Sequence, residues 1–461
     1  MNIHPASLPP PLDPGFLPAV LWRRAYDALV ARSTGERRVV FELDRGGGDL
    51  SLHETMLLPA GNEDALTLRH AERLLKFLLW QQGGGRVTVY GAPEVAMGLA
   101  HLYSPEGARS FDHEFMGAKV YRRPFALLDG GTGLPTTAPA RSLAIGRHLD
   151  GCRIGFDLGG SDRKAAALID GQVVYSEEIA WSPYFQSDPS YHIEGLQDSL
   201  QRAAAHLPRV DAIGGSAAGV YVANEARVAS LFRGVPPEAF EAHIRRMFLT
   251  LRERWGGIPF EVANDGEVTA LAGSMSLGEG SVLGISMGTS QAGGYVTADG
   301  NLTPWLNELA FAPVDYREDA PADEWSGDRG CGVQYFSQQA VVRLALAAGL
   351  GLPATMPAAD QLLEVQALLK AGDLRAEAIY RSIGSYLGYS IAHYADFYAI
   401  RHVLLLGRVT SGAGGALILD TAREVLARDF PELAARIRLS MPDETQKRHG
   451  QAIAAASLPK L

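Results

Sequence analysis

Short apolar runs alternate with amphipathic stretches along most of the chain. From residue 152 onward, seven runs have the length and hydrophobicity of strands: RIGFDL, AAALID, VVYSEE, DAIGGS, VLGISMG, AGGYVT and HVLLLG. Stretches with helical periodicity separate some of them, among them EAFEAHIRRMFLTLRERW and EAIYRSIGSYLGYSIAHYADFYAI. Strands that alternate with helices in this way predict an α/β fold.

The first 150 residues show a similar alternation. After a proline-rich arm, MNIHPASLPPPLDPG, the sequence LTLRHAERLLKFLLWQQ predicts an amphipathic helix, RVTVYG a strand and PEVAMGLAHLY a helix opened by proline. The loop-like GGTGLPTTAPARS, residues 130–142, is predicted to be the main linker. We therefore predict an N-terminal α/β extension of unknown role over residues 1–150.

Composition narrows the class of protein. A chain of 461 residues with 47% hydrophobic and 20% charged residues is typical of a soluble protein of several domains. It has no apolar run long enough to span a membrane, and its first residues lack the features of a signal peptide. Only two cysteines are present, Cys152 and Cys331. We expect a cytoplasmic protein without membrane partners or a disulfide framework.

Charge argues against a nucleic-acid partner. The formal net charge is -10, and residues 1–150 carry sixteen Lys/Arg against sixteen Asp/Glu. A DNA-reading domain normally shows a basic excess on one face. The extension is therefore predicted to be a structural or oligomerisation domain, and whether the chain forms a homo-oligomer is left open.

A glycine-rich turn joins the first two strands after residue 152. In FDLGGSDRKAAALIDG, Asp157 ends a strand, and the turn that follows supplies Gly159, Gly160, Ser161 and Lys164. Backbone amides, a hydroxyl and an ammonium group are donors for phosphate oxygens. Asp157 would act through Mg²⁺, directly or through the ion's water shell. The alternative is an ordinary β-hairpin with a glycine turn.

Two further turns of similar composition follow. GISMGTSQAGGYV joins two strands through Gly288, Thr289 and Ser290, and we predict that it holds phosphates opposite the first turn. LLLGRVTSGAGG leads from a strand into a helix and offers backbone to an adenine or ribose. Its glycines are Gly407, Gly412, Gly414 and Gly415.

An Asn–Asp pair supplies a candidate catalytic base. PFEVANDGEVTALAG places Asn264 and Asp265 between a short strand and a helix that begins near Glu267. A carboxylate can orient a sugar hydroxyl and accept its proton during phosphoryl transfer, and an amide can bind neighbouring hydroxyls. The alternative is that both residues merely cap the helix.

The order of these turns resembles the sugar-kinase branch of the actin, hexokinase and heat-shock chaperone superfamily. Within that superfamily the chain is most similar to the bacterial repressors and sugar kinases known as ROK. This resemblance covers residues 150–461. It implies two actin-like, ribonuclease H-like subdomains, over residues 151–270 and 271–461, around a cleft for ATP and a sugar.

The resemblance also implies roles for individual residues. Asp265 would be the general base, and Asp157 would position Mg²⁺. The first two turns would hold the phosphates, and residues 407–415 would border the adenosine. Glu308 matches the family's sugar-binding acid.

Several positions depart from the family pattern. Phe311 stands where a histidine would follow Glu308, Gln334 stands where a second sugar-contacting Glu usually falls, and only Cys331 remains of a three-cysteine zinc motif. Arg408 replaces a second glycine in the late turn. We therefore predict no zinc, because one thiolate without a nearby histidine is no zinc site. We also predict sugar recognition that differs from the family's usual glucose site.

Three functions are compatible with these features. The first is ATP-dependent phosphorylation of a hexose or related sugar. The second is a sugar- or nucleotide-binding regulator of the same fold with weak catalysis, suggested by the missing histidine. The third is an ATPase coupled to a partner, which is disfavoured because Asn264 and Glu308 have no purpose in an enzyme that activates only water.

Overall fold

The computed structural model describes residues 1–135, 145–442 and 444–461. The predicted linker over residues 130–142 lies outside the described residues from residue 136 onward. Strands in the described ranges form sheets of four, two, five and four strands. The structure is therefore α/β, as the sequence predicts.

The N-terminal extension contains a four-stranded sheet. Its order is β2-β1-β3-β4, with β1 antiparallel to β2 and β3, and β3 parallel to β4. The elements are α1 (Ala19–Val30), β1 (Arg37–Gly46), β2 (Asp49–Leu57), α2 (Asp64–Gln82), β3 (Arg86–Tyr90), α3 (Pro93–Leu102), α4 (Ser110–Glu114) and β4 (Ala126–Asp129). A π-helical segment, Phe115–Tyr121, follows α4.

The next block contains a five-stranded mixed sheet in the order β11-β8-β5-β6-β7. Strands β5, β8 and β11 are parallel, whereas β6 and β7 are antiparallel to their neighbours. The elements are β5 (Cys152–Leu158), β6 (Asp162–Ile169), β7 (Gln172–Ala180), α5 (Pro189–Ala204), β8 (Ala212–Ala217), β9 (Val220–Val222), β10 (Glu225–Val228), α6 (Pro237–Ala239), α7 (Met247–Arg254), β11 (Phe260–Asn264) and α8 (Asp265–Leu277).

One predicted helix of this block is broken. The stretch EAFEAHIRRMFLTLRERW forms α6, a π-helical segment over Phe240–Ile244, and α7 rather than one continuous helix. Arg246 leaves the helical conformation, and the carbonyl of Arg245 accepts a hydrogen bond from the Ala226 amide on β10. The contact with β10 therefore interrupts a run whose periodicity predicts uninterrupted helix.

The last block contains a four-stranded sheet in the order β13-β12-β14-β15, with β12, β14 and β15 parallel. Helix α11 ends at Tyr394, before the ADFYAI that closes the predicted helical stretch. The elements are β12 (Val282–Met287), β13 (Gln291–Val296), α9 (Gln338–Ala347), α10 (Ala358–Lys370), α11 (Leu374–Tyr394), β14 (His402–Leu406), α12 (Ala413–Asp429), α13 (Pro431–Ala434), β15 (Arg438–Ser440) and α14 (Glu444–Ala456). Short 3-10 turns complete the connections.

Two helices join the larger sheets. Helix α8 packs on β12 and β13, and α14 returns to pack on β5 and β8. Gly155 and Gly214 make this approach possible, because backbone of α14 occupies the space where their Cβ atoms would lie. The predicted boundary at residue 270 falls within α8, so the proposed subdomains share this helix.

The N-terminal extension shares its apolar core with the last block. The proline-rich arm lies along α11, where the Leu8 amide contacts the Tyr389 hydroxyl at 3.2 Å and Asp13 accepts from the Tyr386 hydroxyl at 2.7 Å. Trp80 of α2 is fully buried in the same core. In the part of the chain that the structure describes, no helix has the length and hydrophobicity needed to cross a membrane.

Candidate active site

Asp157 lies near the carboxyl end of β5, between Lys164 on β6 and Ser216 on β8. Directly paired residues point to the same face of a sheet, so the three side chains face one side. The Ser216 hydroxyl donates to Asp157 Oδ1 at 2.6 Å. Burial raises the pKa of Asp157 to about 6, with the Ser216 hydrogen bond opposing the rise and the charge of Asp265 adding to it.

The turn after Asp157 is a β-hairpin. The Gly159 amide donates to the Asp162 carbonyl at 3.0 Å, and the Trp181 indole donates to the Gly159 carbonyl at 2.7 Å. Neither glycine of the turn has a positive φ. Gly160 is required for packing instead, because the ring of Tyr184 occupies the place of a Cβ atom.

Two donor groups follow this turn. Ser161 is exposed, and its hydroxyl donates to Asp162 Oδ2 at 2.8 Å. Lys164 Nζ lies 3.1 Å from Asp162 Oδ1. Burial lowers the pKa of Lys164, but Asp162 and Asp157 raise it by more, so Lys164 is a cation beside Asp157.

The second and third turns lie side by side. Thr289 and Ser290 are exposed after β12, and the Gly288 amide donates to the Ser290 carbonyl at 2.9 Å. Because β14 is parallel to β12 and directly adjacent, Gly407 lies next to Met287. Gly407 has φ +94°, and a Cβ atom there would collide with the Met287 carbonyl. Glycine is therefore required where these two strands end.

The late glycines divide between turn and helix. Gly412 has φ +67° and precedes α12, whereas Gly414 and Gly415 belong to the first turn of that helix. The sequence places all of them in a turn, but α12 begins earlier, at Ala413, and the two helical glycines are buried. Tyr380 packs against Gly414, and the Thr410 carbonyl packs against Gly415.

Asp265 is the first residue of α8 and follows the carboxyl end of β11. It is partly exposed, and its Oδ1 accepts from the Gly266 amide at 2.9 Å. Burial raises its pKa, although the hydrogen bond with Gly266 opposes the rise. Since β8 separates β11 from β5, Asp265 lies about 10 Å across the sheet edge from the Asp157 strand.

The amide of Asn264 caps α8. Its Oδ1 accepts from the Gly266 amide at 2.8 Å, and its Nδ2 donates to the Gly219 carbonyl at 2.8 Å. These are the contacts of the helix-capping alternative. The sugar-binding role of Asn264 stays a prediction, which would use the second lone pair and second N–H of the amide.

Glu308 faces the same acidic region. Burial, and then the charge of Asp265, raises the pKa of Glu308 to about 7. The Glu308 amide donates to the Trp80 carbonyl at 2.9 Å, and the Asn307 amide donates to the Gln81 carbonyl at 2.9 Å. The carboxyl end of α2 thus holds the loop that carries Glu308.

Two of the departures from the expected ROK pattern, Phe311 and Gln334, have partners within the structure. Phe311 is buried in an aromatic cluster with Trp80, at 4.4 Å between ring centroids, and with Phe115 and Trp325. Gln334 donates to Gln339 at 2.5 Å. Among the described residues, no three His, Cys, Asp or Glu side chains are grouped as metal ligands.

Several residues of this region were missed by sequence reasoning. Ser216 ends a predicted strand, and Asn307 precedes Glu308, so both had a local signal. Glu267 accepts from Asn307 Nδ2 at 3.1 Å. Burial raises the pKa of Glu267 to about 8, with Glu308 adding to the rise. Trp80 could not be recognised from its sequence neighbours, because the Glu308 amide that donates to its carbonyl is far away in sequence.

The raised pKa of Glu267 predicts a pH-dependent stability. Between about pH 5 and pH 8 the carboxyl of Glu267 is ionised in the unfolded chain but still protonated in the folded chain. The free energy of unfolding therefore decreases as pH rises through this range. Glu267→Gln should remove this component, on the order of 1.4 kcal/mol per unit of pKa difference. Urea denaturation at several pH values should show that the free energy of unfolding of the variant increases relative to that of the wild type as pH rises.

Glu364→Gln is the matched control, because Glu364 is exposed on α10. Its stability should follow the pH dependence of the wild type. Parallel curves for Glu267→Gln and the wild type would contradict the assignment of a proton to Glu267.

Solved structures with a similar arrangement of sheets and helices define the fold. The paired sheets with their glycine turns have the architecture of actin-like sugar kinases. More specifically, the chain has the ROK-family fold. A ROK hexokinase from Thermus thermophilus superposes with a TM-score of 0.53 at 21% identity, covering 66% of this chain and 96% of that one.

A second solved structure is a ROK-family transcriptional regulator, a homologue of the E. coli MLC protein. It superposes with a TM-score of 0.50 at 19% identity, covering 67% of this chain and 78% of that one. No model of a known protein family matches the sequence, and no curated protein matches it significantly. At these identities the likeness shows the fold alone, and about a third of the chain lies outside it.

Proposed function

We propose that the protein is an ATP-dependent kinase of a hexose or related sugar. The observation that carries this proposal is the position of Asp265, directly after the carboxyl end of β11, where its charge adds to the raised pKa of both Asp157 and Glu308. Ligands of open α/β sheets bind outside the carboxyl ends of the strands. Under this proposal, residues 151–270 and 271–461 form the two walls of the cleft, and residues 1–150 support its sugar side.

Asp265 is the proposed general base. A raised pKa makes its carboxylate a better proton acceptor, and the Gly266 amide fixes one of its oxygens. The sugar hydroxyl would donate its proton to Asp265 as its oxygen attacks the terminal phosphorus of ATP, and the bond from that phosphorus to the bridging oxygen would break to release ADP. Glu308 and Asn264 would bind neighbouring hydroxyls and orient the acceptor.

The glycine turns are proposed to hold the nucleotide. The exposed hydroxyls of Ser161, Thr289 and Ser290 and the ammonium of Lys164 are suitable donors for phosphate oxygens. The turn of Gly407 and Gly412, followed by Gly414 and Gly415 at the start of α12, would border the adenosine.

The residues present fit a Mg²⁺ ion that arrives with the nucleotide. Mg²⁺ usually takes one or two carboxylates, waters and substrate phosphates, and Asp157 supplies a buried carboxylate held by Ser216. The ion would neutralise phosphate charge. Such neutralisation is needed because Asp157, Asp265 and Glu308 place several carboxylates near the cleft.

The test is ADP release from Mg²⁺ATP across a panel of hexoses, hexosamines and polyols. Release that depends on a sugar is the expected result. Release without any sugar would indicate a partner-coupled ATPase and overturn the kinase proposal. Absence of release, together with a sugar-induced rise in melting temperature, would indicate a regulator.

The regulator is the second candidate, and one observation favours it. Phe311 and its aromatic neighbours fill the position of the family's histidine, so the sugar site lacks a polar group. One protein with this fold is a transcriptional regulator. Retention of Asp265 and both phosphate turns favours the kinase.

A further inference from the structure

A two-stranded hairpin, β9–β10, lies between the N-terminal extension and the strand that leads to Asp265. Its strands are antiparallel. The two residues of its turn, Ala223 and Asn224, have φ of +52° and +61°. Two successive residues with positive φ form the type I′ turn of tight hairpins, so the turn holds the Asn224 side chain in a defined place.

The Asn224 side chain is bonded to the edge of β11. This strand is the last one on its side of the five-stranded sheet, so one row of its backbone groups faces away from the sheet. Asn224 is 8% exposed; its Nδ2 donates to the Phe260 carbonyl and its Oδ1 accepts from the Val262 amide, both at 2.8 Å. One side-chain amide thus pairs with β11 as a neighbouring peptide group would, shortly before Asp265.

One face of the hairpin borders the start of α8. Tyr221 packs on Phe248 of the first block, with ring centroids 5.6 Å apart. Burial, and then the charge of Asp265, raises the pKa of Tyr221, so this face also lies near Asp265. Asn264 Nδ2 donates to the carbonyl of Gly219, the residue before β9, at 2.8 Å. The hairpin therefore contacts the chain on both sides of the β11–α8 junction.

The opposite face of the hairpin packs on the extension. Val220, Val222 and Val228 share this face, because residues two apart in a strand, and residues paired directly across it, point to the same side. Val220 belongs to the apolar core that the extension shares with the last block, and the other two valines pack against it. The π-helical segment Phe115–Tyr121 of the extension contacts both strands. The extension thus reaches the first block through apolar contacts.

Ion pairs follow the same route. Arg122, directly after the π-helical segment, pairs with Glu241 at 2.9 Å. Arg245 lies 3.2 Å from Glu241 and donates to Glu225 of β10 at 2.8 Å. Arg122 and Glu241 are 41% and 50% exposed, so their pair contributes little, and the apolar face supplies most of the contact.

The extension also holds the opposite wall of the proposed cleft. The carbonyls of Trp80 and Gln81 accept from the amides of Glu308 and Asn307, each at 2.9 Å. One domain therefore supports the element that carries Asp265 and the loop that carries Glu308.

We propose that the N-terminal extension sets the position of Asp265 relative to Glu308, by holding the β9–β10 hairpin whose Asn224 fixes the end of β11. Asn224 is a positioning residue, because it acts on Asp265 through β11. The effect on catalysis rests on the proposed function, whereas the mechanical link from extension to hairpin to β11 does not.

The mechanical link is tested by hydrogen exchange without ligands. Asn224→Gly removes the side-chain amide but keeps a residue that adopts positive φ, so the turn should persist. Backbone amides over residues 260–266 should exchange roughly tenfold faster than in the wild type, because β11 loses two hydrogen bonds. Ala223→Gly is the matched control. Ala223 is exposed in the same turn, so these rates should stay unchanged or decrease.

A second pair of variants tests the part of the extension. Val222→Asp places a carboxylate on the face that packs on the extension, and exchange over residues 220–228 and 260–266 should become more than about tenfold faster. Val174→Asp is the matched control, because Val174 is 46% exposed on β7. Exchange in β14 should keep its wild-type rate in every variant, which distinguishes release of the hairpin from global unfolding.

The catalytic effect is measured with the sugar that supports turnover. Asn224→Gly should lower kcat roughly 10- to 10²-fold and change the sugar KM by less than about threefold, because Asp265 is displaced while Glu308 keeps its support. In the Asp265→Asn background the same substitution should lower kcat little further, because the group that Asn224 positions is already lost. A role in stability alone would lower kcat equally in both backgrounds.

Three results would overturn the proposal. Wild-type exchange over residues 260–266 in Asn224→Gly would show that Asn224 does not hold β11. Faster exchange in Asn224→Gly but not in Val222→Asp would show that the hairpin acts without the extension. Equal losses of kcat in the two backgrounds would show that Asp265 is not the residue positioned. Failure of the kinase proposal is separate, because it would abolish sugar-dependent ADP release in the wild type and leave the exchange differences unchanged.

Discussion

Asp265→Asn should lower the rate of sugar phosphorylation by about 10²- to 10⁴-fold, the usual contribution of a positioned general base. Asparagine keeps the oxygen that accepts from the Gly266 amide, so the start of α8 should stay intact. What the substitution removes is the ability to take a proton. The measurement is steady-state ADP release with the sugar that supports turnover.

Stability and nucleotide binding distinguish this loss from misfolding. Burial raises the pKa of Asp265, so its ionised form is unfavourable in the fold, and the variant should be at least as stable as the wild type at neutral pH. The affinity for ADP should change little. Asp299→Asn, at an exposed position after β13, should keep full activity. Turnover retained in Asp265→Asn would remove Asp265 from its proposed role.

Local patterns carried most of the fold prediction after residue 152. The strand of Asp157, its glycine turn and the next strand form one hairpin, whose pairing and hydrophobicity are visible over sixteen residues of sequence. The same holds for the hairpin around Gly288. The residues that pair in these hairpins are close together in sequence, so hydrophobic periodicity and turn residues are enough to predict them.

Long-range contacts could not be predicted in this way. The carbonyl of Trp80 holds the amide of Glu308, and the ring of Trp80 packs on Phe311. In the sequence Trp80 is one apolar position of an amphipathic helix, and Phe311 is a departure from a family pattern. Only the tertiary structure shows that the extension supports Glu308, the acidic residue proposed to bind the sugar.

The helix break at Arg246 illustrates the same limit. Its periodicity is helical, but a contact with β10 determines where the helix stops. In the candidate site, the sequence shows which residue types are present but not how close together they lie. The residue types of Asp157, Asp265 and Glu308 are evident from sequence, whereas the effect of the Asp265 charge on the pKa of the other two depends on how the tertiary structure places two strand ends and the loop held by α2.

A buried ion network ties the extension to the loop that carries Asp328 and Cys331. Lys76 of α2 is fully buried and lies 2.9 Å from Asp112 and 3.0 Å from Asp328. Arg73 and Arg109 also contact Asp328. Burial raises the pKa of Asp328, but these cations lower it far below its usual range, so it is a carboxylate. Charge pairing therefore anchors this loop.

Lys76→Met should lower the free energy of unfolding by roughly 3–5 kcal/mol, because it leaves the buried Asp112 carboxylate without its cation. Urea denaturation at neutral pH measures the loss. Lys119→Met is the control: Lys119 is 40% exposed and pairs with Glu114, so its loss should cost at most about 1 kcal/mol. Since α2 also supports Glu308 through Trp80, the sugar KM of Lys76→Met should rise as well. Equal stabilities for the two Lys→Met variants would show that the network does not hold the extension on the rest of the chain.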